Sequence, residues 1–286
     1  MKKVISAVMA GAMAVSMTAC GSSAASSAAP SASSAAASNA ASSVAASSAA
    51  AGSDLDYVKN KGKLVVGVTD FEPMDYKDSD GSWIGFDADL AKAFAESLGV
   101  EAEFVEIDWD NKLLELNGKS IDCVWNGMTL TDEVTSSMEC TNAYCNNAQV
   151  VVLPTSEADK YQTVESLSDL TFAVEAGSAG EEMATELGLN FTPVSNQASA
   201  LMEVAAGTSG AAIIDSLMAG AMVGEGTSYS DLTYTVQLND EKYGVGFRKG
   251  SDLAEALNEF FAASKEDGSL QTIAETYGVQ AALINE

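Results

Sequence analysis

No histidine occurs among the 286 residues, so a histidine-based catalytic triad, a histidine-ligated metal and an imidazole switch are all excluded. No catalytic residue, metal or cofactor is expected. The residues left to do chemistry are carboxylates, hydroxyls, a few cations and aromatic faces. Asp215 closes the apolar run Ala211-Ala212-Ile213-Ile214, a place where a carboxylate can cap the helix that follows at Ser216. Gly177-Ser178 opens a helix at Ala179, and the free N–H groups and dipole of a helix start favour an anion. Trp109 and Trp125 fall at the carboxyl ends of strand-like runs; Trp125, just before Gly127-Met128-Thr129, is the better wall for a binding site, and Trp109 reads as packing.

Charge and cysteine usage narrow the partners. With 41 Asp and Glu against 14 Lys and Arg, the net charge of −27 repels nucleic acid and anionic lipid, and neither is expected as a partner. Lys2 and Lys3, the apolar run Val4 to Val15 and a small residue before Cys20 have the layout of a secretory leader over residues 1–20, too short for a membrane span. This resembles the lipobox of bacterial lipoproteins, which implies lipidation of Cys20 and a membrane contact through that lipid alone. Residues 21–53 hold 13 Ser and 15 Ala with no charge and no aromatic ring, so they cannot bury a core and read as a disordered tether. Cys123, Cys140 and Cys145 remain; Cys123 reads as a core thiol, whereas a bridge between Cys140 and Cys145 is left open.

The elements that would position these residues alternate. The run Lys63 to Val68 reads as a strand buried on both faces, Asp87 to Gly99 as an amphipathic helix, Glu103 to Ile107 as a strand, Asn111 to Leu116 as a short helix and Asp122 to Trp125 as a strand. A second set follows: strands near Asn147 to Leu153, Leu170 to Val174, Phe191 to Val194, Ala211 to Ile214 and Thr233 to Gln237, with helices at Ala179 to Leu187 and Ala198 to Ala206. Two helices, Asp252 to Ser264 and Leu270 to Tyr277, end the chain. Alternation of strand and helix predicts an α/β fold with parallel sheets and ligand chemistry at the carboxyl ends of the strands.

Gly85-Phe86-Asp87-Ala88-Asp89-Leu90-Ala91, Asp108-Trp109-Asp110, Gly127-Met128-Thr129, the run at Gln149, the Gly177-Ser178 turn and the stretch from Tyr243 to Gly250 occur in one order. Together they resemble family 3 solute-binding proteins, the polar-amino-acid receptors of ABC importers. The resemblance implies the two-lobed type II periplasmic-binding-protein fold, each lobe a mostly parallel sheet flanked by helices. Lobe 1 would be discontinuous, residues 54–149 and 240–286, and lobe 2 would be residues 150–239, with a two-crossover hinge near 147–151 and 237–243. It also implies a monomeric, lipid-anchored receptor outside the cytoplasm that catalyses nothing and hands its ligand to a membrane permease.

The same resemblance makes Asp70 and Phe71 a wall of the cleft, assigns Asp215 to the ligand's α-ammonium, and has Gly127 and Thr129 offer backbone groups and a hydroxyl, with Ser178 facing them from lobe 2. One departure matters. The arginine that forks onto an α-carboxylate in the family is replaced by Val134, after Thr131-Asp132-Glu133, and Arg248 is the only arginine in the chain. Lys112 is the substitute at hand, though a lysine cannot copy the bidentate fork. An amino acid is the expected ligand, held by Lys112, Ser178 and backbone N–H groups; an amine without a standard α-carboxylate is the alternative, as are a sensory or adhesive lipoprotein and, more remotely, a dehydratase on this fold. Glu72 and Asp75 read as solvated loop acids.

Overall fold

The computed structural model describes residues 53–284; the expected leader, Cys20 and residues 21–52 lie outside them. Ser53, read as the last tether residue, is instead the cap of a helix α1 (Asp54–Lys61), its hydroxyl accepting from the Asp56 N–H at 2.9 Å. Acids fill the first turn, lysines the last, and Gly62 closes the helix at φ 76°. Only Val58 of α1 is buried, so the segment carries no apolar stripe to announce a helix.

The chain then runs through β1 (Lys63–Val68), β2 (Tyr76–Lys77), β3 (Trp83–Ile84), α2 (Phe86–Ser97), β4 (Glu101–Glu106), α3 (Lys112–Asn117), β5 (Cys123–Thr129), α4 (Asp132–Ser137), β6 (Glu139–Cys140) and β7 (Cys145–Asn147). A second group comprises β8 (Gln149–Pro154), β9 (Thr171–Glu175), α5 (Ala179–Glu186), β10 (Asn190–Val194), α6 (Gln197–Ala206), β11 (Ala211–Asp215), α7 (Ser216–Met222) and β12 (Leu232–Gln237). The last strand and helices are β13 (Glu241–Phe247), α8 (Leu253–Glu266) and α9 (Ser269–Thr276).

Two main sheets result. The first has the order β4-β1-β5-β13-β6, with β7 also on β13; the second has the order β10-β9-β11-β8-β12. Strands β4, β1 and β5 are parallel, as are β10, β9 and β11. Strands β8 and β13 run antiparallel to their neighbours. Only Ala148 separates β7 from β8, so the chain passes directly from one sheet into the other. The chain leaves the first sheet there and returns between Gln237 and Glu241, two crossings side by side.

The first sheet is covered on both faces. Leu64, Val66 and Val68 of β1 pack with Leu90, Ala91 and Phe94 of α2, whereas Val65 packs with Ile107, Trp109 and Leu116 on the other side. Cys123, Cys140 and Cys145 are all free thiols, the first and last buried. No helix among the described residues is long and apolar enough to cross a membrane.

Arg248 has a structural task. Its Nε donates to Asp54 of α1 at 2.9 Å, its Nη1 to the carbonyl of Ile121 at 2.9 Å, and its Nη2 reaches Asp122 at 3.4 Å. Asp122 is fully buried and is also met by the Lys61 ammonium and by the Val65 N–H at 2.8 Å. Removing the guanidinium leaves that carboxylate short of a partner. Arg248→Ala is therefore expected to destabilise the protein by about 3–5 kcal/mol, read as a lower urea midpoint at unchanged slope.

Candidate functional site

A cavity of 330 Å³ lies between the two sheets. From the first come Phe71, Trp109, Lys112, Gly127, Thr129 and Val134; from the second come Glu175, Gly177, Ser178, Gln197 and Asp215. Six of the eight residues expected at a site thus line it: Phe71, Lys112, Gly127, Thr129, Ser178 and Asp215. Two do not, and strand geometry explains both. Trp125 is 0 % exposed and turns to the far face of β5, its ring 6.3 Å from Phe94 and 5.7 Å from Phe261, because Cys123 and Trp125 share one face while Val124 takes the other. Asp70 is exposed, since Thr69 is pinned inward by Asn126 and Phe71 is buried, which leaves the residue between them facing solvent. Trp109, read from the sequence as packing, is the tryptophan that lines the cavity.

Asp215 is buried at the end of β11, and its oxygens are met by side-chain amides. Oδ1 accepts from Asn147 and from Gln149, the latter at 2.8 Å, and Oδ2 accepts from Gln197. Gln197 also accepts the Asp215 N–H at 2.8 Å, a reciprocal pair. Although Asp215 precedes α7, its side chain makes no capping bond, so capping is not its role here. The Asn147 and Gln149 amides donate as well to Glu241 Oε1, at 2.6 and 2.8 Å, which also takes the Thr129 hydroxyl at 2.8 Å. Burial, then the neighbouring Glu241 charge, holds the Asp215 carboxyl well above the usual carboxylate range.

Glu175 was not singled out by the sequence reading. It ends β9 as Asp215 ends β11, so the signal was available: an acid closing a short apolar strand run, Phe172-Ala173-Val174 in this case. It is 3 % exposed, and its Oε1 has no hydrogen-bond partner. Burial pushes its carboxyl up to about 8, against contacts with Thr69 and Gln197 and the charge of Lys112. Asp75, expected in solvent, is 0 % exposed and accepts from Asn126 at 2.8 Å. Beside it the Asp87 carboxylate takes the Gly127 N–H at 2.7 Å and the Tyr144 hydroxyl at 2.7 and 2.8 Å, and burial pushes Asp87 up to about 7. Gly127 sits at φ 56° because the Phe71 ring closes over it: a Cβ there would meet Phe71 at 2.5 Å.

The groups that could hold an anion are mostly engaged. The Lys112 ammonium crosses to the second sheet and donates to the Gly177 carbonyl at 2.8 Å and to the Trp109 carbonyl at 3.3 Å; burial lowers its affinity for a proton. At the start of α5, Ser178 accepts the Glu181 N–H at 3.2 Å, and the Glu181 carboxylate accepts the Gly177 N–H at 2.6 Å. Counting Glu133, Glu181, Glu182 and Glu186 with Glu175 and Asp215, six acidic side chains line the cavity against the single Lys112.

The family model of the bacterial extracellular solute-binding proteins, family 3, matches residues 64–280, which is most of the chain and both sheets. The chain belongs to that family. It is 30% identical over 225 residues to the arginine-binding extracellular protein ArtP of Bacillus subtilis, covering 74% of this chain and 85% of that one. Among solved structures, an ABC uptake transporter substrate-binding protein from Streptococcus pneumoniae with bound histidine is 29% identical with a TM-score of 0.73, covering 81% of this chain and 98% of that one. An ancestral amino-acid-binding protein, AncCDT-1, described as a precursor of cyclohexadienyl dehydratase, is 31% identical with a TM-score of 0.72, covering 79% and 99%. This family 3 protein therefore has the two-lobed fold of extracellular solute receptors and a solute-binding role.

Two outcomes follow from the geometry. Gly177 has φ 69°, and a Cβ there would meet the Asp110 Cα across the cleft at 2.8 Å. Gly177→Ala is expected to hold the lobes apart and weaken solute capture tenfold or more, about 1.4 kcal/mol, with a larger radius of gyration in X-ray scattering. The folded state binds the Glu175 proton more tightly than the unfolded chain, so that favourable contribution is complete below the ordinary 4.5 and lost as pH rises through about 8. Glu175→Gln is expected to raise the melting temperature of the ligand-free protein at pH 8 by about 3 °C or more and to change it little at pH 4, by scanning calorimetry.

Proposed function

We propose that this protein is the receptor of an ABC importer, anchored outside the cytoplasm through a lipid on Cys20, and that it captures a small polar, amine-bearing solute. Residues 54–149 with 240–286 form one lobe and residues 150–239 the other, and they close by rotation about the two crossings. The observation that carries this is Asp215. Amides of the chain hold its carboxyl in place at the end of β11, and the side chain lines the cavity, where a donor of the solute can reach it. Phe71 and Trp109 give the apolar walls that strengthen such a contact by excluding water. The relatives support the same class of ligand: the pneumococcal structure holds histidine and ArtP binds arginine. Closure would present a joint surface of both lobes to a membrane permease. No turnover is assigned to the site.

A thermal-shift screen of amino acids and amines identifies the solute, since a ligand that binds only the native state raises its melting temperature. With that solute, Asp215→Asn keeps the shape of the side chain and removes the charge. It is expected to weaken binding at least a hundredfold, about 2.7 kcal/mol, by isothermal calorimetry. Unchanged affinity overturns the assignment of Asp215.

A further inference from the structure

We infer that the cavity takes an organic cation without a carboxylate, an alkyl diamine or a guanidino-amine, in preference to an α-amino acid. This rests on the amine-receptor reading and narrows it to one chemical class. An α-amino acid carries an ammonium and a carboxylate on one carbon, so its receptor must present an acceptor and a set of donors within a few ångströms of each other. Here most of the donors are engaged. Val134 offers only methyl groups to the cavity. Two of the three protons of the Lys112 ammonium are engaged by the Gly177 and Trp109 carbonyls. The Gly127 N–H is held by Asp87, and the Gly177 N–H by the carboxylate of Glu181. Glu181 thus stands at the start of α5 where an incoming carboxylate would have to go, and it would meet that carboxylate as a like charge.

Acceptors are in surplus. Glu175 is more than nine-tenths buried, lines the cavity, and has an oxygen with no partner. A buried carboxyl oxygen without a partner is costly to leave bare, and an ammonium or guanidinium from a ligand satisfies it. The exposed Glu133, Glu182 and Glu186 add a second group of acids on the same cavity. One acidic group deep and one at the mouth suit a molecule with a cation at each end and an apolar spacer between Phe71 and Trp109. Charge attraction of this kind weakens as salt rises, whereas burial of the spacer does not.

The test compares matched pairs that differ by one carboxylate: arginine and agmatine, histidine and histamine, ornithine and 1,4-diaminobutane, lysine and 1,5-diaminopentane. Calorimetry on the wild-type protein is expected to find at least one amine bound tenfold or more tightly than its amino acid, with affinity falling as salt is added. Val134→Arg, which restores a fork for a carboxylate, is expected to reverse the order within that pair. Glu181→Ala frees the start of α5 without adding bulk, and it is expected to narrow the gap. Equal affinity within every pair, or preference for the amino acid, overturns the inference and leaves the amine-receptor reading in place. No binding by any member of any pair overturns both.

Discussion

A carboxylate inside a protein must be given partners, and the buried Asp215 organises much of this one. Its three amide donors come from different places: Asn147 and Gln149 flank the first crossing between the sheets, and Gln197 begins α6. The same Asn147 and Gln149 amides reach Glu241, which starts the strand after the return crossing. One polar network therefore ties the end of β11 to both crossings. A solute that reaches Asp215 from the cavity acts on the elements about which the lobes turn. That is the physical link by which a small solute can shift the balance between open and closed arrangements, since it gains most from the arrangement in which both lobes reach it.

The cavity trades stability for recognition. Glu175 and Asp215 are held above the usual carboxylate range chiefly by burial. Glu175, with one oxygen left without a partner, would be easier to bury as an amide. Keeping it as an acid costs the ligand-free protein stability as pH rises toward about 8. An ammonium pairs more strongly with an ionised acid than with a neutral one, so a more acidic medium works against such a pairing at either residue.

The same scaffold carries its one guanidinium far from this chemistry. Arg248 joins α1, the β5 start and the last strand, where it neutralises the buried Asp122. With Val134 at the cavity, the arrangement keeps a two-lobed receptor intact while altering what the cleft can recognise. Lys112 does not restore the lost fork, because its ammonium spans the cleft as a strut between Trp109 and Gly177. Its presence favours closure more than it favours an anion.

Much was legible in the residues alone. Apolar runs and helical spacing located the longer strands and helices other than β13 but not the short β6, β7, α4 and α7, and the order of short motifs pointed to the two-lobed fold and to Phe71, Thr129, Ser178 and Asp215. Helix α1 was not legible, because a polar segment with one buried residue is held by its caps and by distant ion pairs. Nor was the antiparallel sense of β8 and β13, which is set by pairing with strands distant in sequence. The exchange of Trp125 for Trp109, the exposure of Asp70 and the burial of Asp75 and Glu175 were likewise decided in three dimensions. Periodicity identifies a strand, but when both faces of a sheet are covered it cannot say which face meets the cleft. Whether a donor is free or already engaged, as for Gly127, Gly177 and Lys112, depends on partners distant in sequence, and only the folded chain brings them together.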